Sequence, residues 1–336
     1  MTLRAALVGA GSMGTNHARV VSASGLAKLE WVIDADRERA VRLAREVGAR
    51  PAHVLDPAYN CDLAIVASST ATHLAVAEQL LEHGVPILVE KPLATCLEDV
   101  VKLIRLAEEN DVPLACGFVE RFNPAIATAR QLLEGPPQHL VAIRHSPPNL
   151  RPTSSVVDDL LIHDIDLSIM LAGSANVVSA HCAASQVESP MDDGIVDASL
   201  VFENGFMALL TASRLSQRKI RTLYLTTAQS LYEIDLLRSD VSVYRHRAHE
   251  IAGGGPVVGY RSETALDIPF VRSRGEPLAL QFEHFVSLVL GEADAADERA
   301  SILPPHELAM SLARGGDVER TPMLPGAVVA DLRSAS

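Results

Sequence analysis

The sequence predicts an α/β protein in two parts, a doubly wound parallel sheet followed by a second α/β part built on a mostly antiparallel sheet. Three observations carry that prediction. A short apolar strand near Arg4 runs into a glycine-rich turn and a helix; strands and amphipathic helices then alternate as far as residue 120; and from Val177 onward short strands follow one another with few helices between. Alternation of strand and helix specifies a parallel sheet covered on both faces, whereas consecutive alternating strands suit an antiparallel sheet with one covered face. The first part is read as residues 1–120 and the second as residues 121–336.

Bulk properties narrow the function. At 336 residues the chain exceeds what one core usually organises, so two domains are expected. A formal net charge of -13 argues against a general nucleic-acid or membrane surface, both of which ask for clustered Lys and Arg, but leaves room for a small anionic substrate held by a few local arginines. Cys61, Cys96, Cys116 and Cys182 are scattered without CxxC spacing, so reduced thiols are expected, with no disulfide framework and no thiolate metal site. No run approaches the ~18 apolar residues of a spanning helix, and Met1-Thr2-Leu3-Arg4 lacks signal-peptide anatomy. A cytoplasmic protein is therefore expected.

The first strand, Arg4 to Val8, leads into Gly9-Ala10-Gly11-Ser12-Met13-Gly14 and a helix over Thr15 to Ser22. In this context the first glycine permits the tight turn, the second lets the backbone approach a pyrophosphate, and the third packs helix on strand, while the helix N-terminus offers unpaired N–H groups to phosphate. A second strand, Leu29 to Ile33, ends in Asp34, 20 positions after Gly14, where an acid accepts from the hydroxyls of an adenosine ribose. This is the Rossmann dinucleotide fingerprint, and Asp34 favours NAD over NADP. Arg37, just past the acid, is the residue that could instead meet a 2'-phosphate. An amphipathic helix from Arg37 to Val47 ends at Gly48; a strand from Asp62 to Ala67 runs into Ser68-Ser69-Thr70-Ala71-Thr72-His73, small hydroxyl residues suited to close cofactor contact; and a helix beginning at His73 reaches the cap Gly84. Ser68, Thr70 and His73 are thus candidate cofactor contacts, although His73 reads equally well as a helix-end histidine with no ligand.

The next strand is the most informative. Ile87-Leu88-Val89 suits a strand covered on both faces and ends abruptly in Glu90-Lys91-Pro92. In a parallel sheet ligands bind at the carboxyl ends of the strands, so a charged pair is delivered to a rim where chemistry can occur, with Lys91 the candidate catalytic lysine and Glu90 the residue that positions it. A helix over Leu97 to Asn110 and a strand over Val112 to Phe118 close the alternation.

Beyond Glu120-Arg121-Phe122-Asn123-Pro124 the sequence predicts a helix to Glu134, a strand from His139 to His145, and, after the loop Ser146 to Ser155, a helix from Asp158 to Ala172 stopped at Gly173. Asp159, His163 and Asp166 stand at i, i+4 and i+7 on one helix face, away from an apolar stripe of Leu161, Ile162, Ile165 and Ile169. Three readings stay open for that stripe: a general-base histidine oriented by a carboxylate, a metal site needing further ligands, or a structural histidine capped by acids. Strands follow over Val177 to Gln186, Asp197 to Phe202, Phe206 to Ser213 across the hairpin mark Asn204-Gly205, Thr222 to Thr227 and Leu231 to Asp235. The stretch His249 to Gly259 reads as a flexible loop, Pro277 to Gly291 as an amphipathic helix, and the chain from Glu292 as uninformative, with the portion after Gly315 partly disordered.

Taken together, a dinucleotide fold presenting Lys91, facing a second part that supplies His163, has the parts for hydride transfer from a carbinol carbon. His163 would take the hydroxyl proton, Lys91 would stabilise the developing alkoxide, and Asp159 would orient the imidazole.

These residues resemble the glucose-fructose oxidoreductase, inositol dehydrogenase and MocA family. The likeness rests on Gly9 to Gly14, Asp34, Thr70 to His73, Glu90-Lys91-Pro92, the Asp159/His163 pair and Glu276-Pro277-Leu278, and covers nearly the whole chain. It implies a Rossmann domain followed by an α/β domain with a large open sheet often used for oligomerisation, here as a homodimer or homotetramer, and a lysine–histidine catalytic pair mapping to Lys91 and His163 with Asp159 alongside. Cofactor contacts would come from Gly9, Gly11, Ser12, Met13, Gly14, Asp34, Ser68, Thr70, His73, Glu90 and Lys91. Val119 to Ala125, Pro147-Pro148 and Ile162 to Asp166 look most like the branch that oxidises the 3-hydroxyl of UDP-N-acetylglucosamine. Arg121, Asn123, Arg144 and Arg151 are then candidate substrate contacts beside Asp159 and His163. Other chemistries on the same scaffold are inositol or free-sugar oxidation, 3-ketosugar reduction and NAD-dependent glycoside hydrolysis; no metal, nucleic acid or membrane is implied.

Overall fold

Six short apolar segments, β1 (Leu3–Val8), β2 (Ala27–Ile33), β3 (Arg50–Ala52), β4 (Leu63–Val66), β5 (Ile87–Val89) and β6 (Leu114–Cys116), pair in the order β3-β2-β1-β4-β5-β6. Every pairing is parallel. The computed structural model describes residues 2–148, 155–174, 176–185, 194–251, 259–271, 275–314 and 318–319. Helices α1 (Ser12–Ser24), α2 (Arg37–Val47), α3 (Thr70–Glu82) and α4 (Leu97–Glu109) connect the strands. Strand order reverses between β1 and β4, and it is at such a switch point that the carboxyl ends leave a crevice. The sequence reading missed β3, whose proline and three-residue length hide it, and it started α3 three residues late. The helix begins at Thr70 after an extended Ser69, so the hydroxyl-rich run is its first turn.

After α5 (Pro124–Leu132) comes β7 (His139–His145), then a π-helical turn over Val157–Leu161 that continues as α6 (Ile162–Ala172). Strands β8 (Val177–Ser185), β9 (Ile195–Phe202), β10 (Met207–Ser213), β11 (Ile220–Thr226), β12 (Leu231–Asp235), β13 (Asp240–Ile251), β14 (Gly259–Asp267) and β15 (Val318–Glu319) complete a nine-stranded sheet in the order β14-β13-β12-β11-β7-β10-β9-β8-β15. Only β7 and β10 run parallel; the other pairings are antiparallel. Period-2 burial is plain in β10, where Ala208, Leu210 and Ala212 are buried while Met207 and Leu209 stand half exposed on the other face. The expected flexible stretch at 249–259 is corrected at both ends: His249 to Ile251 belong to β13 and Gly259 opens β14. Its middle, 252–258, lies outside the described residues, as do 315–317 and the tail after Glu319. The polar, weakly periodic sequence of β13 and β14 explains the misreading.

The chain after Glu292, where the sequence is less informative, is helical as far as Ala313. It forms α8 (Ala295–Ala300), capped by the Asp294 carboxylate on the Ala296 and Asp297 N–H groups, and α9 (Leu303–Ala313). The second part also reaches back to the first, because α7 (Pro277–Val289) packs on the first sheet. Phe282 and Phe285 are fully buried in one cluster with Val20, Val21 and Leu29, and Glu276 at its start accepts two hydrogen bonds from Arg19. On the opposite face one continuous core joins Ile87 and Val89 to Leu161, Ile165 and the buried face of the large sheet. All four cysteines are free thiols, Cys61 and Cys116 buried. Among the described residues no helix is long and apolar enough to cross a membrane.

Candidate active site

A cavity of about 1010 Å³ opens at the switch point, bounded by Gly9, Gly11, Ser12 and Met13 on one side, Asp34 and Arg39 on another, and Ser68 to Thr72 with Pro92 and Asp158 beyond. Gly9 holds φ +103°, and a side chain there would run into the Ala67 carbonyl oxygen at 2.5 Å; one on Gly14 would collide with Gly9. Gly11 is different, because the space beside its Cα is open. No side chain caps the first turn of α1, so its N–H groups are left to whatever occupies that space. The Asp34 carboxylate accepts from the Ala10 N–H at 2.7 Å and the Asp36 N–H at 2.8 Å, which ties the glycine turn to the end of β2 and leaves lone pairs for further donors. These features fit a dinucleotide: an open, glycine-lined helix N-terminus for the pyrophosphate and an acid for the ribose. Arg37 bonds at 3.1 Å to His53, which lines the cavity, while Arg39 pairs with Asp36 and lines the cavity itself.

His73 does not line this cavity. It is buried, with its two ring nitrogens 3.0 Å from the Pro92 carbonyl and 3.1 Å from the Ser68 carbonyl, and so stitches two strand ends together. Glu90 is likewise buried. Its carboxylate meets His17 Nε2 at 2.8 Å and accepts from the Lys91 N–H at 3.3 Å, and the missing side chain of Gly117 leaves it room. Burial works to raise the Glu90 pKa, but His17 and Lys91 outweigh it and hold the carboxyl below the usual range. Both residues were expected as cofactor contacts, and both instead set the backbone around Lys91. The Lys91–Pro92 peptide is cis.

Lys91 crosses from the first sheet to the second half of the molecule. Its Nζ donates to the Asp159 carbonyl at 2.6 Å and to the Asp159 carboxylate at 3.0 Å, with the lysine side chain 14 % exposed. The other Asp159 oxygen accepts from Arg214 at 2.9 Å. Burial alone would raise the Asp159 pKa; the two cations reverse the sign and keep it ionised. His163 sits one turn on, 7 % exposed, with Nδ1 buried and unpartnered among the described residues. Desolvation first, then the charges of Lys91, Arg144 and Arg221, push its pKa well below the ordinary value, so the imidazole is neutral near pH 7. The π turn over Val157–Leu161 widens the helix where the lysine docks, a distortion often found at functional sites.

The expected Asp159–His163–Asp166 stripe does not converge. Asp159 is taken by Lys91 and Arg214 rather than by the imidazole, and Asp166 accepts a bidentate fork from Arg121 Nε and Nη2. Arg121 and Arg144, expected to meet substrate, are fully engaged inside the protein. Arg121 also donates to Ser301 and stacks over Phe118, its guanidinium 4.7 Å from the ring centre. Arg144, 1 % exposed, makes a bidentate pair with Asp164 at 2.8 Å and a third bond to Glu120 at 2.9 Å. Asn123 is buried, caps α5 through the Ala125 N–H, and donates to the Leu236 carbonyl and to Glu120. Arg151 lies outside the described residues.

The sequence reading missed His17, Arg214, Arg221 and His306. A histidine on the buried face of α1, three residues after Gly14, was a readable signal. His306 gave none: it reaches from α9 to accept the Leu93 N–H at 2.9 Å, two residues past Lys91, while its Nδ1 donates to Ile302 at 2.7 Å.

Comparison with known proteins agrees with this architecture. A family model described as oxidoreductase family, NAD-binding Rossmann fold, matches residues 3–118, and a GFO/IDH/MocA C-terminal domain matches residues 142–231. The chain is 31% identical over 291 residues to a UDP-N-acetylglucosamine 3-dehydrogenase of Acidithiobacillus ferrooxidans, covering 85% of this chain and 88% of that protein. A solved structure of that enzyme superposes with TM-score 0.79 at 28% identity, covering 93% of this chain and 97% of the other. A myo-inositol dehydrogenase of Streptomyces leeuwenhoekii is 36% identical over 227 residues, 62% of this chain and 69% of its own length.

Proposed function

The chain belongs to the GFO/IDH/MocA oxidoreductases, and from that membership we propose that it oxidises the 3-hydroxyl of a nucleotide-activated amino sugar, UDP-N-acetylglucosamine, with NAD. NAD, when bound, supplies the hydride acceptor. Gly9, Gly11, Ser12, Met13 and Gly14 hold the pyrophosphate at the α1 N-terminus, Asp34 meets the ribose hydroxyls and disfavours a 2'-phosphate, and Ser68 and Thr70 line the cavity beyond. His163, neutral at working pH, takes the proton of the substrate hydroxyl. The Lys91 ammonium stabilises the alkoxide charge that develops as the proton leaves. Asp159 and Arg214 act on Lys91, fixing its Nζ at the rim.

The observation that carries this reading is the reach of Lys91 across the molecule onto Asp159, one turn from a buried histidine that its charge helps keep unprotonated. Half-exposed Met207, Leu209 and Leu266 on the large sheet support assembly into dimers or tetramers through that face. Formation of NADH at 340 nm should appear with UDP-N-acetylglucosamine and be at least tenfold weaker in kcat/KM with UDP-glucose, free N-acetylglucosamine and myo-inositol. Preference for the cyclitol would transfer the protein to the inositol dehydrogenases of the same family.

A further inference from the structure

We propose that Lys219 and Arg221 form a subsite for phosphoryl groups at the start of β11, beside the Arg144–Asp164 pair that adjoins His163. The proposal rests on the sugar-nucleotide reading above and replaces Arg121 and Arg144, whose donors are spent inside the protein. In a chain of net charge -13, residues 214–221 hold Arg214, Arg218, Lys219 and Arg221 and no acid. Their placement is defined at both ends. Arg214 donates to the Asp159 carboxylate, so the connector from β10 to β11 starts at the Lys91 site. It ends at Lys219 and runs into β11, whose second residue, Arg221, stands directly opposite Arg144 in the β7–β11 ladder, and Arg144 holds Asp164, the neighbour of His163.

Like charges opposed across strands are unfavourable unless anions answer them. Here three cations, Arg144, Arg221 and Lys219, face two carboxylates. Asp164 is consumed by the fork from Arg144, and Glu120 Oε1 is shared, 2.9 Å from Arg144 and 3.2 Å from Arg221. Arg221 therefore has half a counter-ion, and its Nε is without an acceptor among the described residues. Lys219 is exposed and has no ion pair among them; the adjacent Arg221 charge, followed by partial burial, lowers its pKa. A planar guanidinium beside a mobile ammonium, with unbalanced positive charge, is an arrangement that phosphoryl oxygens satisfy. A sugar hydroxyl held at Lys91 would leave the segment from Arg214 to Arg221 as the nearest run of cations for its diphosphate.

The test is calorimetric titration of the full-length, NAD-saturated protein with UDP and with uridine, for wild type, Lys219→Ala, Arg221→Lys and the distant surface control Lys102→Ala. Charged hydrogen bonds of this kind should make Lys219→Ala weaken UDP about tenfold and flatten its salt dependence, with uridine and the control unaffected. Arg221→Lys keeps the charge but loses the fork, and should fall between. UDP affinity within twofold of wild type in both variants, or equal binding of UDP and uridine by wild type, overturns the subsite. Turnover of UDP-N-acetylglucosamine with UDP affinity indifferent to both residues would sink the subsite and leave the proposed function standing. Lys219-dependent UDP binding with turnover of myo-inositol alone would do the reverse.

Discussion

Two clusters of acids and bases lie within a few residues of each other on α6 and the turn before it, and they behave in opposite ways. Around Asp164 and Asp166 the partners Arg144 and Arg121 are buried and nearly every donor is matched. Around Asp159 the carboxylate is 41 % exposed, and the lysine and arginine that hold it leave it facing solvent in part. The first cluster is closed and serves the fold; the second is open, and it is the one to which the proposed chemistry is assigned. Residue type does not separate them. Burial and the count of unspent hydrogen-bond positions do.

The comparison breaks most visibly at Arg144. Arg144→Met removes the one ion-pair partner of the Asp164 carboxylate among the described residues and one of the two cations on Glu120, leaving buried carboxylates uncompensated, and should cost about 3–5 kcal/mol in urea unfolding. Removal of the open pair should do the contrary. Lys91→Ala and His163→Ala are each expected to lower kcat about 10²- to 10³-fold in stopped-flow NADH formation, while the urea midpoint of Lys91→Ala stays near that of wild type. A large loss of stability in Lys91→Ala would place that residue with the closed cluster.

A smaller effect concerns pH. His306 is buried, and desolvation, opposed by its bond to Ile302 and reinforced by Arg121, pushes its pKa down to about 4. The neutral ring both donates to Ile302 and accepts from Leu93, an arrangement a second ring proton would break. The unfolded chain binds that proton first as pH falls below about 6.5, so the stabilisation is complete above 6.5 and is lost progressively down to about 4. Between pH 7 and pH 5 this amounts to about 2 kcal/mol, and His163, also depressed, adds in the same direction. Denaturation of His306→Gln should show a shallower pH slope than wild type; an unchanged slope would remove His306 from this role. The smallest effect expected is at Asp34. Asp34→Ser should raise KM for NAD about tenfold and lower that for NADP, as measured by initial rates, since a charged acceptor is lost at the ribose.

By itself the sequence determined the parts whose physics is local. The glycine turn from Gly9 to Gly14, the acid at the end of β2, the strand that delivers Lys91 and the hairpin at Asn204-Gly205 are fixed by backbone sterics, short-range capping and hydrophobic period, and each stands where its spacing predicts. The partners of charged side chains were a matter for tertiary structure. Asp159 and Asp166 have helical spacing to His163, yet their partners come from Lys91, Arg214 and Arg121, up to 68 residues away in the chain. The same holds for Arg144, where cross-strand register with Arg221 and contact with Glu120 and Asp164 decided that a candidate substrate arginine belongs to the core. Charge interactions act over several ångströms through space and depend on burial, neither of which is written along the chain. For that reason sequence spacing could single out Lys91 and His163 as candidates, while only the folded protein separated the charges spent on one another inside it from those left partly exposed.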